Sequence, residues 1–335
     1  MRYLLISITA LAALLAPTTV VAGHQDTGEV TNFGPNLAAV CHMPEGIAID
    51  PQGNLYASSF AMKPVANICV ENRKGQLVDV IPVPAGPGGQ ASLLGELYDP
   101  GRGLYVLDFA NGSPGNGRLL RVNVRTHAVT VVATGFQAPN ALAQDRHRNL
   151  YISDSFQGAI YKVAPDGSRN QVWIQDVRLQ PHGQPPFGAN GVAFDRNQRF
   201  LYVATTSDDK IYRIPVLKDG SAGPMQLFAS GDPATQALRG ADGIAFDVKG
   251  NLYVCANSAQ HPTPGTPTGE IQVLNPKGQL IARYDGIGAN DLDFVASLVF
   301  KGRNLYLSNL SLDTGGANSK LSVLGVPYPG LPLRP

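Results

Sequence analysis

Short apolar runs separated by turn residues recur along the whole chain, and they recur as copies of one pattern. The clearest copy is residues 241–253. Asp242 heads it, Gly243 follows, Ile244-Ala245-Phe246 is apolar, Lys249-Gly250-Asn251 turns, and Leu252-Tyr253 opens a second apolar run. Glu45-Gly46-Ile47-Ala48-Ile49 leads in the same way to Leu55-Tyr56, Asn140-Ala141-Leu142-Ala143 to Leu150-Tyr151, and Asn190-Gly191-Val192-Ala193-Phe194 to Leu201-Tyr202. Short Val/Ile/Leu/Tyr runs between Gly, Pro and Asn turns predict strands, and no helical spacing of apolar residues is sustained beyond the N-terminus. Once in each unit a Leu-Tyr pair opens the second run, at positions 55, 104, 150, 201, 252 and 305, at intervals of 46 to 53 residues. A period near fifty suits a four-stranded antiparallel blade, and six such blades make a propeller.

Within each unit the inner strand starts at the variable residue and the Leu-Tyr strand follows. A third strand reads like Ile160-Tyr161-Lys162-Val163 and a fourth like Gln171-Val172-Trp173-Ile174. The last unit runs out after its third strand, Lys320-Leu321-Ser322-Val323, into a Pro-rich tail. The pattern therefore predicts that an N-terminal strand, placed at residues 36–40, completes the sixth blade and leaves no open edge. The expected fold is all-β, a six-bladed β-propeller closed by its N-terminal strand, with residues 24–35 and 326–335 as surface extensions.

Composition agrees with a β fold: 37 Gly, 26 Pro and only 15% charged residues in 335. A net charge of +1 without a basic block gives no footprint for nucleic acid or an anionic membrane. Residues 1–22 differ from the rest. Arg2, an apolar stretch over 4–16 and Val20-Val21-Ala22 before Gly23 read as a secretory signal peptide, too short for a membrane span; a buried N-terminal helix is the other reading. Residues 23–335 are then expected as one propeller domain, monomeric and secreted or periplasmic. An exported chain can hold a disulfide. Cys41 and Cys69, beside the first repeat, are the candidate pair, with three free buried thiols as the alternative, and Cys255 reads as a core residue.

Aligning the units on Leu-Tyr gives six equivalent positions beside the central channel: Glu45, Leu94, Asn140, Asn190, Asp242 and Ala296, with Ser297 as an alternative in the last. A lone Asn after Pro139 is ordinarily a turn residue. Oxygen donors at four equivalent places point instead to a metal. Two carboxylates and two amides suit a hard cation, Ca²⁺ first, with Mg²⁺, Mn²⁺ or Zn²⁺ as lesser options; the absence of His and Cys from the ring disfavours zinc and copper. Such a cation polarises a carbonyl or phosphoryl oxygen and acidifies a water, and Asp242 is the candidate proton acceptor. No Ser-His-Asp set or Gly-x-Ser-x-Gly elbow is visible.

The ordered set Glu45-Gly46, Asn140, Asn190-Gly191 and Asp242-Gly243 on six Leu-Tyr repeats resembles the senescence marker protein (regucalcin)/gluconolactonase family. More distantly it is similar to paraoxonases and diisopropyl fluorophosphatase. The resemblance implies a six-bladed propeller and a divalent cation held by Glu45, Asn190 and Asp242. It also implies Asn140 as a further ligand or substrate contact, and Asp242 as general base. Sugar-lactonase members carry an arginine two residues before the blade-three asparagine; here that place is Ala138.

The loops above the ring complete the expectation. Segment 178–189 runs into Asn190 and brings His182, a candidate catalytic group or an ordinary solvated histidine, and Phe187. Phe60, Phe109 and Phe156 each follow a Leu-Tyr strand and either line a substrate site with Ser58, Asp108 and Asp154 at its rim, or pack between blades. Segment 258–269 is a lid or a long hairpin of blade five. The expected activity is hydrolysis of a small-molecule lactone or ester. The rivals are a non-catalytic propeller with a structural calcium, a phosphotriesterase, and a strictosidine-synthase-like or lyase activity.

Overall fold

The computed structural model describes residues 28–261, 264–286 and 288–332; the signal peptide read at 1–22 lies outside the described residues. Six antiparallel sheets of four strands are present. Their inner strands are Pro44–Ile49, Leu93–Asp99, Pro139–Gln144, Ala189–Phe194, Ala241–Phe246 and Val295–Lys301. Each packs on the next and the last packs on the first, which closes the ring of blades. The architecture is the six-bladed propeller expected from the repeats. The only helical elements among the described residues are two three-residue 3-10 turns, Val177–Leu179 and Gly288–Asn290, and no helix there is long and apolar enough to cross a membrane.

The repeated Leu-Tyr pair is a device for joining blades. The tyrosine crosses the interface to an aromatic ring on the next inner strand: Tyr151 to Phe194 at 4.9 Å, Tyr202 to Phe246 at 4.9 Å, Tyr253 to Phe300 at 5.2 Å, and Tyr56 to Tyr98 at 5.7 Å. Such ring pairs contribute about 1 kcal/mol each beyond the area they bury. At the opposite end of the inner strands, Asp50, Asp145, Asp195 and Asp247 each accept the backbone N–H four residues on, at 2.7–2.9 Å. That side-chain bond holds the tight turn into the Leu-Tyr strand.

The ring is closed from the N-terminus, but by a different segment from the one expected. Val30–Phe33 pairs antiparallel with Lys320–Gly325, from Val30↔Leu324 to Phe33↔Leu321. Residues 36–40 form a turn instead, because the Val40 and Cys41 N–H groups both fold back on the Leu37 carbonyl. Leu37 itself is fully buried, so its apolar signal comes from plugging the core. The tail is no loose extension either: Val248 N–H donates to Pro329, Leu331 N–H to Phe246 and Gly330 N–H to Gly302, strapping blades five and six from below. Cys41 and Cys69 are joined by a disulfide with Cα atoms 6.1 Å apart, tying the closing segment to the third strand of blade one; Cys255 is free and buried.

Candidate metal centre

The site begins with a fault in strand pairing. In every blade the register between inner strand and Leu-Tyr strand shifts just after the first inner residue: after Pro44, Leu93, Pro139, Ala189, Ala241 and Val295. A bulge of this kind re-aims the extra side chain. The second residues of the six strands therefore occupy equivalent places: Glu45, Leu94, Asn140, Asn190, Asp242 and Ala296. Hydroxyls on the second strands confirm the alignment. Ser58 accepts from Gly46 N–H, Ser153 from Ala141 N–H and Ser308 from Ser297 N–H. Ser297 is thus the counterpart of Gly46, and Ala296 that of Glu45. The Ser58 and Ser308 hydroxyls also donate to the Leu94 and Glu45 carbonyls of the adjoining blade, fixing one ring position against the next. Gly191 sits where a Cβ would collide with the Asp242 carbonyl, so its lack of a side chain permits that close approach.

All four oxygen-bearing ring residues are buried. Among the described residues, Glu45 Oε2 and Asn140 Oδ1 find no hydrogen-bond partner. Asn190 donates from Nδ2 to Thr206 Oγ1 at 2.8 Å, which orients the amide and leaves its carbonyl oxygen available. Asp242 Oδ2 accepts from Asn257 Nδ2 at 2.8 Å. Burial pushes the Asp242 carboxyl up to about 8, against the opposing pull of hydrogen bonds from Asn257, Asn190 and the Gly243 amide. Burial first, then the charges of Asp242 and Glu96, hold Glu45 well above the ordinary carboxylate range. None of the ion pairs among the described residues includes Glu45, Glu96 or Asp242.

Buried carboxylates without a cationic partner are costly. Together with two orphaned buried oxygens and an all-oxygen donor set, they fit a hard divalent cation. Among the described residues no group of three His, Cys, Asp or Glu has metal-binding geometry; half of this ring's donors are amides. Glu96 was not among the expected site residues, because the repeat places it where the other blades carry an apolar residue.

An aromatic wall covers one side. Phe109 meets Phe60 and Phe156 edge-on at 5.7 Å each and Phe187 at 6.4 Å, and Phe156 lies 5.6 Å from Phe187. These rings form one cluster with Leu94 and Ala138. The wall therefore joins the ring at blade two, one of the two blades, with blade six, whose ring residue carries no side-chain oxygen. Ser58, Asp108 and Asp154 do not form the rim expected of them. The Ser58 hydroxyl is turned to Leu94, Asp108 pairs with Arg118 and accepts Ser92 and Ala110 N–H, and Asp154 accepts Gln137, Ala138 and Gln157 N–H. All three are fully buried, and their polar atoms satisfy loop backbone.

His182 is docked by its N–H on Ser207 Oγ, and its Nδ1 lies 3.0 Å from Asp208 Oδ2. Among the described residues its hydrogen bonds go to Ser207 and Asp208, neither of them a ring residue. Segment 258–269 joins Leu252–Ala256 to Glu270–Leu274 of blade five, so it is a hairpin connection. Residues 262 and 263 are outside the described set. Its base is closed by Gly269 N–H on Ala259 and tied to blade six by Thr268 Oγ1 on Asp313 at 2.7 Å.

Fold and ring together define a six-bladed β-propeller with oxygen-bearing residues at the head of four inner strands. Residues 173–309 match the family model of the SMP-30/Gluconolactonase/LRE-like region, and residues 38–60 that of the N-terminal part of strictosidine synthase-like proteins. The chain is 27% identical over 132 residues to Lactonase drp35 of Staphylococcus saprophyticus, covering 39% of this chain and 35% of that protein. It thus spans about a third of that relative's length. Among solved structures, a gluconolactonase from Xanthomonas campestris superposes with a TM-score of 0.63 at 19% identity, covering 92% of this chain and 93% of that one. A calcium-binding regucalcin from Agrobacterium tumefaciens superposes with a TM-score of 0.60 at 15% identity, covering 90% and 95%. Virginiamycin B lyase from Staphylococcus aureus follows at 0.56 and 13%, covering 89% and 99%. At these identities the superpositions establish the fold.

Proposed function

We propose that this protein is a divalent-cation-dependent hydrolase that opens a lactone or cleaves a related ester after export from the cell. One observation carries the reading: two carboxylates and two amides converge on the channel with orphaned oxygens, beside a wall of four phenylalanines. The match of residues 173–309 to the gluconolactonase region and the similarity to a lactonase support the substrate class. The Cys41–Cys69 disulfide suits an oxidising compartment.

Calcium bound in the ring would supply the positive charge that polarises the scissile carbonyl and acidifies a water. Glu45, Asn140, Asn190 and Asp242 would hold it. Asp242, oriented through Oδ2 by Asn257, presents its other oxygen to take the proton of the attacking water. Asn140 contributes its unpartnered Oδ1 and also serves as a substrate contact. Phe60, Phe109, Phe156 and Phe187 receive the apolar part of the substrate and exclude water from that side. His182, steadied through Nδ1 by Asp208, is the candidate to move a proton at the rim. Ala138 offers no cation to a sugar hydroxyl or carboxylate, so alkyl- or aryl-substituted lactones fit better than aldonolactones.

The test is hydrolysis of a panel of aliphatic, aromatic and sugar lactones and aryl esters, with and without chelator. Chelator-sensitive turnover with a preference for apolar lactones is expected. Full turnover in metal-stripped protein would overturn the metal dependence, and no turnover on any member while calcium still binds would leave a binding propeller instead.

A further inference from the structure

The strands that begin with Leu-Tyr lead to a second set of equivalent places. Counted five residues on from the leucine of each pair, they are Phe60, Phe109, Ser155, Thr206, Asn257 and Leu310. Blades one and two give this place to the aromatic wall. Blades three, four and five put a buried polar side chain there. In blade five it is Asn257, whose Nδ2 donates to Asp242 Oδ2. In blade four it is Thr206, whose Oγ1 accepts from Asn190 Nδ2. In both blades the second place braces the oxygen-bearing ring residue of its own blade.

Thr206 has a further bond that decides how it braces Asn190. Its hydroxyl donates to the Ala241 carbonyl at 2.9 Å, across the interface to blade five. A carbonyl oxygen only accepts, so the single hydroxyl hydrogen of Thr206 is committed there. Towards Asn190 the hydroxyl can then only accept. It selects Nδ2 of the amide, because Oδ1 turned the same way would meet a lone pair. Ala241 immediately precedes Asp242, so one hydroxyl joins a ring amide of blade four to the strand head of the ring carboxylate of blade five. Ser155 supplies the contrast. Its hydroxyl makes the same cross-blade bond, to the Ala189 carbonyl at 2.6 Å, and among the described residues it bonds no ring side chain. Asn140, the ring residue of that blade, keeps an unpartnered Oδ1.

We propose that Thr206 is a positioning residue of the cation site: it locks the Asn190 amide with nitrogen towards itself, so that Oδ1 is the atom left to ligate. The inference rests on the reading of the ring as a cation site. An amide nitrogen carries two hydrogens and does not ligate a hard cation, so an amide free to turn over is the weaker ligand. Partners of this kind, one step behind the ligands, orient them and raise metal affinity.

The experiment is calorimetric calcium titration of the full chain and of Thr206→Val, Thr206→Ser and Ser155→Ala, with thermal melts in chelator and in calcium chloride. Valine keeps the shape of threonine without its oxygen, and Thr206→Ala replaces it should valine disturb folding. Calcium affinity is expected to fall about tenfold or more in Thr206→Val and to stay within about threefold of wild type in Thr206→Ser, which keeps the hydroxyl. The calcium-induced rise in Tm should shrink in Thr206→Val alone. Ser155→Ala removes a cross-blade bond of the same kind without freeing a ring side chain, so its calcium affinity should match wild type. Unchanged affinity in Thr206→Val, an equal loss in Ser155→Ala, or no recovery in Thr206→Ser would overturn the role of Thr206 and leave the ring standing. A wild-type chain that binds no divalent cation would overturn the ring reading and this inference with it.

Discussion

Asn257 holds Asp242. Its Nδ2 donates to Asp242 Oδ2 at 2.8 Å, while its own Oδ1 accepts from the Ser258 hydroxyl at 2.8 Å. The chain Ser258–Asn257–Asp242 holds the carboxylate through its Oδ2. Asp242→Asn is expected to keep the fold and lower kcat at least about a hundredfold, through loss of the proton acceptor. Asn257→Ala should lower kcat about tenfold by freeing the carboxylate. Lactone turnover with circular dichroism as a folding control checks both, and wild-type kcat in Asp242→Asn would remove Asp242 from the chemistry.

Glu45→Gln replaces one charged donor by a neutral one of the same size. Calcium affinity is expected to fall about tenfold or more, and the stabilisation by saturating calcium to fall with it, since a ligand stabilises in proportion to the logarithm of its concentration over Kd. Calorimetric titration and melts at fixed calcium read the two effects independently.

Phe109 and Phe60 separate packing from binding. Phe109 is buried at the middle of the aromatic cluster, whereas Phe60 sits half-buried at its edge. Phe109→Ala is expected to cost about 3 kcal/mol of stability through the cavity it leaves. Phe60→Ala should cost less and should raise KM for aryl lactones with little change in Tm. Denaturant unfolding and a KM-against-kcat comparison distinguish them.

Glu71 is a buried acid whose carboxylate finds no hydrogen-bond partner among the described residues. It is fully buried at the end of Val65–Glu71, its oxygens lie against the Gly34 backbone, and both are unsatisfied. Burial raises its pKa to about 8. The folded state therefore keeps a proton that the unfolded chain, with an ordinary glutamate near 4.3, has already released. The stability tied to this group is fully present below about pH 4 and is lost as pH rises toward 8. Glu71→Gln should flatten that part of the profile, gaining about 3 kcal/mol relative to wild type between pH 5 and pH 8. Urea unfolding at the two pH values measures it.

The repeats were legible because a propeller blade is a local object. Four of the six Leu-Tyr tyrosines cross to a ring on the next inner strand, so the same pair recurs, and the second residue of each inner strand inherits the same position. That alignment named Glu45, Asn140, Asn190 and Asp242 without any coordinates. The phenylalanines after the Leu-Tyr strands were legible as a set, but their assembly with Phe187 and Leu94 was not, because it depends on how separate loops fold over one another.

What the sequence determined by itself was the repeated unit: strand order, blade number and the donors at the head of each inner strand, all of which follow from short-range periodicity. What only the tertiary structure decided lies between units. Val30–Phe33 rather than 36–40 closes the ring, since backbone pairing with a strand some 290 residues away leaves no local mark. Asn257 meets Asp242, and Phe187 meets Phe109, since wrapping the blades around one axis brings together side chains whose pairing no spacing along the chain foretells.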